Sequence, residues 1–115
     1  MTGRGDEIRR PTNWLVRAAN AKTAKAWREL CAQAPGNCDR CWVDLTSDPR
    51  RVNDRQHPLK GSLGRVKHEG RELEQWQYEV TAGGRVWYLV DDAGRTLWFT
   101  KVAAGHPKQT ERRGG

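Results

Sequence analysis

The sequence predicts an α+β fold, with an N-terminal helical hairpin packed on one face of a small antiparallel sheet. Three observations carry that expectation. Apolar residues recur every three or four positions from Ala24 to Leu45, as on one face of a helix. From Gln75 to Val90 the repeat drops to two, as in half-buried strands. The breaks at Ala82-Gly83-Gly84 and Asp91-Asp92-Ala93-Gly94 are short, which suits hairpins joining antiparallel neighbours.

In chain order, Asn13 to Ala19 is short and apolar at Trp14, Leu15 and Val16, and fits an edge strand. Ala24, Trp27, Leu30, Cys31 and Ala34 form the apolar stripe of a helix that starts near Ala21 and that Pro35-Gly36 ends. Asn37 is the expected cap of a second helix with Cys38, Cys41, Trp42 and Leu45 on its stripe, stopping before Pro49. A basic loop, Arg55 to Gly61, leads into the sheet. Trp76, Tyr78 and Val80 alternate with Gln75, Gln77 and Glu79, and Val86, Tyr88 and Val90 with Arg85, Trp87 and Leu89. Thr96 to Ala103 completes a three-stranded meander. Residues 1–12 are expected to be a flexible arm and 109–115 a flexible tail, around one domain spanning 13–108.

At 115 residues with 36% apolar content and a mean hydropathy of −0.94, the chain can bury one modest core. Six Trp supply the bulk that the aliphatic residues do not. The formal charge of +7 favours polyanionic partners. It is unevenly spread: residues 50–71 hold seven cations against Asp54 and Glu69, whereas 72–100 hold Arg85 and Arg95 against five carboxylates. The polar start, the lack of a long apolar run and three Cys together point to a cytoplasmic protein with reduced thiols and no membrane contact.

Arg85 opens the middle strand after the Gly-Gly turn, on the face opposite Val86, Tyr88 and Val90. There it can bind phosphate bidentately, with Trp87 beside it to stack a base. The alternative is a surface arginine paired with Glu79 across the hairpin. His106, in a Gly-His-Pro frame, can transfer a proton near neutrality or be an ordinary exposed histidine. Lys60, Lys108, Arg65, Lys67 and His57 are further candidates for contacts with an RNA chain. Cys38-x-x-Cys41 lacks the second ligand pair that zinc needs, so buried structural thiols are expected, with no metal and no cofactor.

Trp76 to Val90, with its Gly-Gly-Arg85-Val-Trp-Tyr88 core, resembles the Gly-x-Arg-hydrophobic-x-Tyr pattern of the RelE/ParE superfamily of type II toxin–antitoxin toxins. Pro58-Leu59-Lys60-Gly61 is similar to that family's loop before the sheet, and Gly105-His106 to the end of its last strand. The resemblance spans roughly Trp14 to Glu111. It implies a RelE-like microbial RNase fold and an endoribonuclease that cuts translated mRNA on the ribosome and is neutralised by an antitoxin. It also implies a phosphate-binding role for Arg85, a loop lysine in Lys60, a C-terminal catalytic group in His106 and a carboxylate base in Glu79. Tyr78 and Glu79 depart from it, standing where many relatives carry basic residues. Two other readings stay open: a ParE-like gyrase inhibitor that cuts nothing, and a plain basic nucleic-acid-binding module.

Overall fold

In a computed structural model the described residues are 13–104, together with residues 4, 5 and 8. Most of the expected arm, the tail, His106 and Lys108 lie outside them. The chain runs β1 (Leu15–Ala18), α1 (Ala21–Gln33), α2 (Pro35–Ser47), β2 (Gln56–Pro58), a 3-10 turn (Gly61–Gly64), β3 (Arg65–His68), β4 (Arg71–Glu79), β5 (Arg85–Asp91) and β6 (Thr96–Ala103). The sheet order is β1-β6-β5-β4-β2, with β3 also pairing β4.

The α+β architecture is the expected one, and β4-β5-β6 is the expected antiparallel meander. The sheet is nevertheless mixed, because β1 joins its edge parallel to β6. The chain can do this because the α1–α2 hairpin and the long excursion after it separate β1 from β6, leaving room for a parallel crossover.

Asn20 caps α1, its Oδ1 accepting from the Thr23 amide at 2.8 Å. The inter-helix break is tighter than the Pro35-Gly36-Asn37 stretch suggests. Ala34 alone separates the helices, and Pro35 occupies the first turn of α2, where its missing N–H costs nothing. Asn37 therefore lies inside α2 rather than capping it, and its Nδ2 donates to the Val80 carbonyl at 3.0 Å. That bond ties the helix to the end of β4.

Leu30, Cys38, Cys41 and Leu45 from the helices pack with Trp76, Tyr78, Val80, Val86, Tyr88, Val90, Leu97 and Phe99 from the sheet. Trp42, expected on the buried stripe, is instead 41% exposed. It follows Cys41 by one residue, about 100° around the helix, and leans on Trp27 with ring centroids 6.2 Å apart. Polar contacts close the core edge. Tyr88 Oη donates to the Pro49 carbonyl at 2.7 Å and accepts from Gln56 Nε2 at 3.1 Å. Buried Gln56 thereby pins β2 beneath the end of α2.

The basic segment between α2 and β4 is more ordered than a loop. β2 pairs residues 76–78 of β4, and β3 pairs 71–74 along the same edge. Glu69 and Gly70 turn β3 into β4 with φ of 51° and 81°, the backbone of a two-residue hairpin whose twist matches its strands. In the β5–β6 turn the positive φ falls on Arg95 (45°) rather than on a glycine. There the Gly94 amide donates to Asp91 Oδ1 at 3.2 Å, and the Arg95 guanidinium sits 4.6 Å from the centre of the Trp14 ring.

Candidate nucleic-acid interface on the open sheet face

The face of the sheet away from the helices is closed at one end and open at the other. At the closed end Leu73, Gln75 and Leu89 are buried. The 3-10 turn lies over Gln75, whose Nε2 donates to the Leu63 carbonyl at 2.9 Å while its Oε1 accepts from Thr100 Oγ1 at 2.6 Å. The His68 and Trp98 rings meet at 4.7 Å, and Arg71 holds Asp91 through two bonds of 2.9 and 2.8 Å. That guanidinium, with the Gly94 amide and Trp98 Nε1–H, holds the Asp91 carboxyl well below the usual carboxylate range. Leu89 lies on the same face as Arg85 and Trp87, as the alternation predicts, but this covering layer buries it.

Four of the seven cations in the basic segment face carboxylates, three of them on the acidic strands and the turn after β5. Arg50 bonds both Glu74 and Asp92, Arg65 bonds Glu72, Arg71 bonds Asp91, and Arg51 approaches Asp48. A guanidinium already facing a carboxylate has little field left for phosphate. Arg65, expected as an RNA contact, thus faces Glu72 instead of standing free. Lys67 and Lys60 are exposed and without a carboxylate partner among the described residues.

At the open end Arg85 is exposed and directly opposite Glu79 across the β4–β5 pair. No carboxylate lies within ion-pair distance of it among the described residues. Trp87 follows on the same face, its Nε1 donating to Gln77 Oε1 at 2.8 Å. That bond fixes the amide, so Gln77 turns its Nε2 toward His57 Nε2 at 3.5 Å. His57 Nδ1 lies 3.1 Å from the Pro58 carbonyl, which can only accept, so the geometry assigns the ring proton to Nδ1. Arg55 flanks the same end, its guanidinium donating to the Glu79 carbonyl at 3.4 Å.

Lys101, absent from the sequence-based candidates, completes this end. Its Nζ lies 4.7 Å from the centre of the Trp87 ring. Arg85, Trp87, Lys101, Ala103 and Ala104 line a groove of about 480 Å³ beside the β4–β5 turn. Strict alternation along β6 would have turned Lys101 toward the core with Leu97 and Phe99. A β-bulge intervenes: Tyr88 pairs Phe99, Trp87 pairs Lys101, and Thr100 is the extra residue. Bulges re-aim side chains in this way, and a bulge leaves no mark in the alternation pattern.

The structure thus brings Arg85, Glu79 and Trp87 together and places His57 two strands away in the Trp87 row. Lys60 stands apart. It follows Leu59, whose amide bonds Gln75, four positions along β4 from Glu79, or about 13 Å at strand spacing. His106 and Lys108 lie outside the described residues, although Ala104 at the groove's rim precedes His106 by two residues. Cys38 and Cys41 are buried in the core. Burial first, then the Cys31 thiol, pushes Cys38 up to about 12, and burial pushes Cys41 up as well. Among the described residues no three His, Cys, Asp or Glu side chains could hold a metal ion, and no helix is long and apolar enough to cross a membrane.

No protein-family model matches this sequence, and no curated protein matches it. Solved structures do. RelE in the archaeal RelE–RelB complex of Pyrococcus horikoshii aligns over 83% of this chain and 99% of its own, with a TM-score of 0.57 and 15% identity. A metal-bound toxin from Helicobacter pylori aligns over 84% and 98%, with a TM-score of 0.54 and 14% identity. The RelBE2 toxin–antitoxin complex of Mycobacterium tuberculosis supplies a chain aligned over 82% and 93%, with a TM-score of 0.51 and 22% identity. The fold is therefore that of RelE-type toxins. This chain shares their two helices and sheet over nearly the whole of their length, at identities that speak to fold alone.

Proposed function

We propose that this chain is a RelE-type toxin, an endoribonuclease that cleaves mRNA during translation and is held inactive by an antitoxin. The observation that carries the proposal is Arg85: an exposed guanidinium without a carboxylate partner among the described residues, beside an indole at the open end of the sheet. Arg50 and Arg71, by contrast, are each held by carboxylates.

The reaction would be transfer of a phosphoryl centre within the RNA. The ribose 2′-oxygen forms a bond to the adjacent phosphorus, and the bond from phosphorus to the 5′-oxygen of the next nucleotide breaks. A base takes the 2′-hydroxyl proton and an acid protonates the departing oxygen. Arg85 binds the non-bridging oxygens and stabilises the charge they gain. Glu79, directly across from Arg85, is assigned the base, and His106 the acid. Trp87 would stack an exposed base of a bent single strand. Lys60, Lys67 and Lys108 would contact flanking phosphates, with Arg65 and His57 at the margin. A cytoplasmic location and a ribosome-bound substrate belong to the same proposal.

Induced expression followed by transcript-end mapping tests it. Breaks within translated codons that vanish in Arg85→Ala support it. DNA damage without RNA breaks would support a gyrase inhibitor instead, and no effect on growth or RNA would leave a plain binding module.

A further inference from the structure

We infer that Lys101 is a phosphate-binding residue of this site, held over the Trp87 ring in the free protein and released to RNA when a base takes its place. The inference rests on the nucleic-acid reading above and adds a residue and a movement to it.

Three observations converge on Lys101. The bulge at Thr100 turns a cation from the core face to the open face. Thr100 stabilises the arrangement, with its hydroxyl on Gln75 Oε1 at 2.6 Å and on the Trp87 carbonyl at 3.3 Å. Lys101 then stands diagonal to Arg85, because Trp87 pairs Lys101 and Arg85 pairs Ala103. Diagonal neighbours in an antiparallel pair are roughly 7–8 Å apart. Cations carried on such neighbouring positions repel each other, and an anion held between them relieves the repulsion. Finally, no carboxylate among the described residues holds the ammonium; it lies over the face of Trp87, a weak attraction at an exposed site.

A nucleobase and an ammonium cannot both lie against that face of the indole. Stacking displaces Lys101 by rotations of its own flexible stem and leaves it beside the groove that Arg85 lines. The bond Trp87 makes to Gln77 keeps the ring in place during the exchange.

Binding of a fluorescently labelled, single-stranded RNA of about eight nucleotides would be measured against salt for the wild type, Lys101→Met, Lys101→Arg and Arg85→Ala. Lys101→Met keeps most of the apolar stem but removes the charge. It should flatten the slope of log affinity against log salt by about 0.7, the value of one phosphate contact on single strands, and Lys101→Arg should restore it. The side-chain methylene resonances of Lys101, shifted by the Trp87 ring current, should move toward exposed values as RNA is added. An unchanged slope in Lys101→Met, alongside a reduced one in Arg85→Ala, would overturn the role of Lys101 and leave the RNA site standing. A wild type with no salt-dependent RNA binding would overturn both.

Discussion

Arg85 and Glu79 face each other directly across β5 and β4 without forming an ion pair. Opposite charges in such a position usually gain a few tenths of a kcal/mol by meeting, yet here the guanidinium stays in solvent. Stability therefore asks little of Arg85. Arg85→Ala should change the unfolding free energy by no more than about 0.5 kcal/mol, read from the urea midpoint at unchanged slope. A loss of several kcal/mol would show that the arginine is structural.

Gly84 sets where Arg85 begins. A Cβ there would meet Thr81 Oγ1 at 2.6 Å, with the Ala103 carbonyl and Leu30 Cδ1 each at 3.4 Å. Thr81 Oγ1 also accepts the Gly84 amide at 2.8 Å, so it cannot retreat without losing that bond. Gly84→Ala should cost about 1–3 kcal/mol, as overpacking does, and weaken any cleavage at the same time. Denaturant unfolding and cleavage assays on one preparation would check both effects.

Asp91 ties the β5–β6 turn to β4. Its carboxylate accepts from Arg71, the Gly94 amide and Trp98 Nε1, and these bonds depress its pKa, Arg71 foremost. A depressed folded pKa means that the stabilisation is complete above the unfolded value of about 3.9 and is lost as pH falls through the folded value. Asp91→Asn should cost about 2 kcal/mol at neutral pH, the scale of losing bonds to a charged acceptor. The cost should shrink as the medium is acidified below pH 4. Unfolding curves at pH 7 and pH 3 would test the sign, which a pH-independent difference would contradict.

The three cysteines should react unequally. Cys38 and Cys41 are buried and their thiols are pushed upward, so little thiolate is present to attack. Iodoacetamide at pH 8 should modify half-buried Cys31 in the native protein, and all three in denaturant. Mass spectrometry would show this, and rapid native labelling of Cys41 would contradict the packing.

What the sequence made legible was periodicity. The stripe through Leu30 and the alternation through Trp76, Tyr78, Tyr88 and Val90 gave the helices, the meander and the core, because burial on one face imposes those repeats directly. Arg85 was legible for the same reason, its parity placing it opposite Val86. The exceptions arise where periodicity carries no information. Ala34 ends α1 because Pro35 prefers a first turn to a linker, so Asn37 was free for Val80. The pairing of β2 with β4 depends on buried Gln56, whose partners Asp48 and Tyr88 are 8 and 32 residues away. Lys101 was hidden by a single extra residue that reverses the parity of β6.

If the Arg85 end of the open face drives attack by a ribose 2′-oxygen, the chemistry of the cut ends will show it. Purified protein would be incubated with ribosomes carrying mRNA, alongside an mRNA with 2′-deoxyribose at the cleaved position, and the termini identified by mass. The wild type should leave 2′,3′-cyclic phosphate and 5′-hydroxyl ends, with no cleavage of the deoxy substrate or by Arg85→Ala. Ends bearing 5′-phosphate, or undiminished cutting by Arg85→Ala, would contradict it.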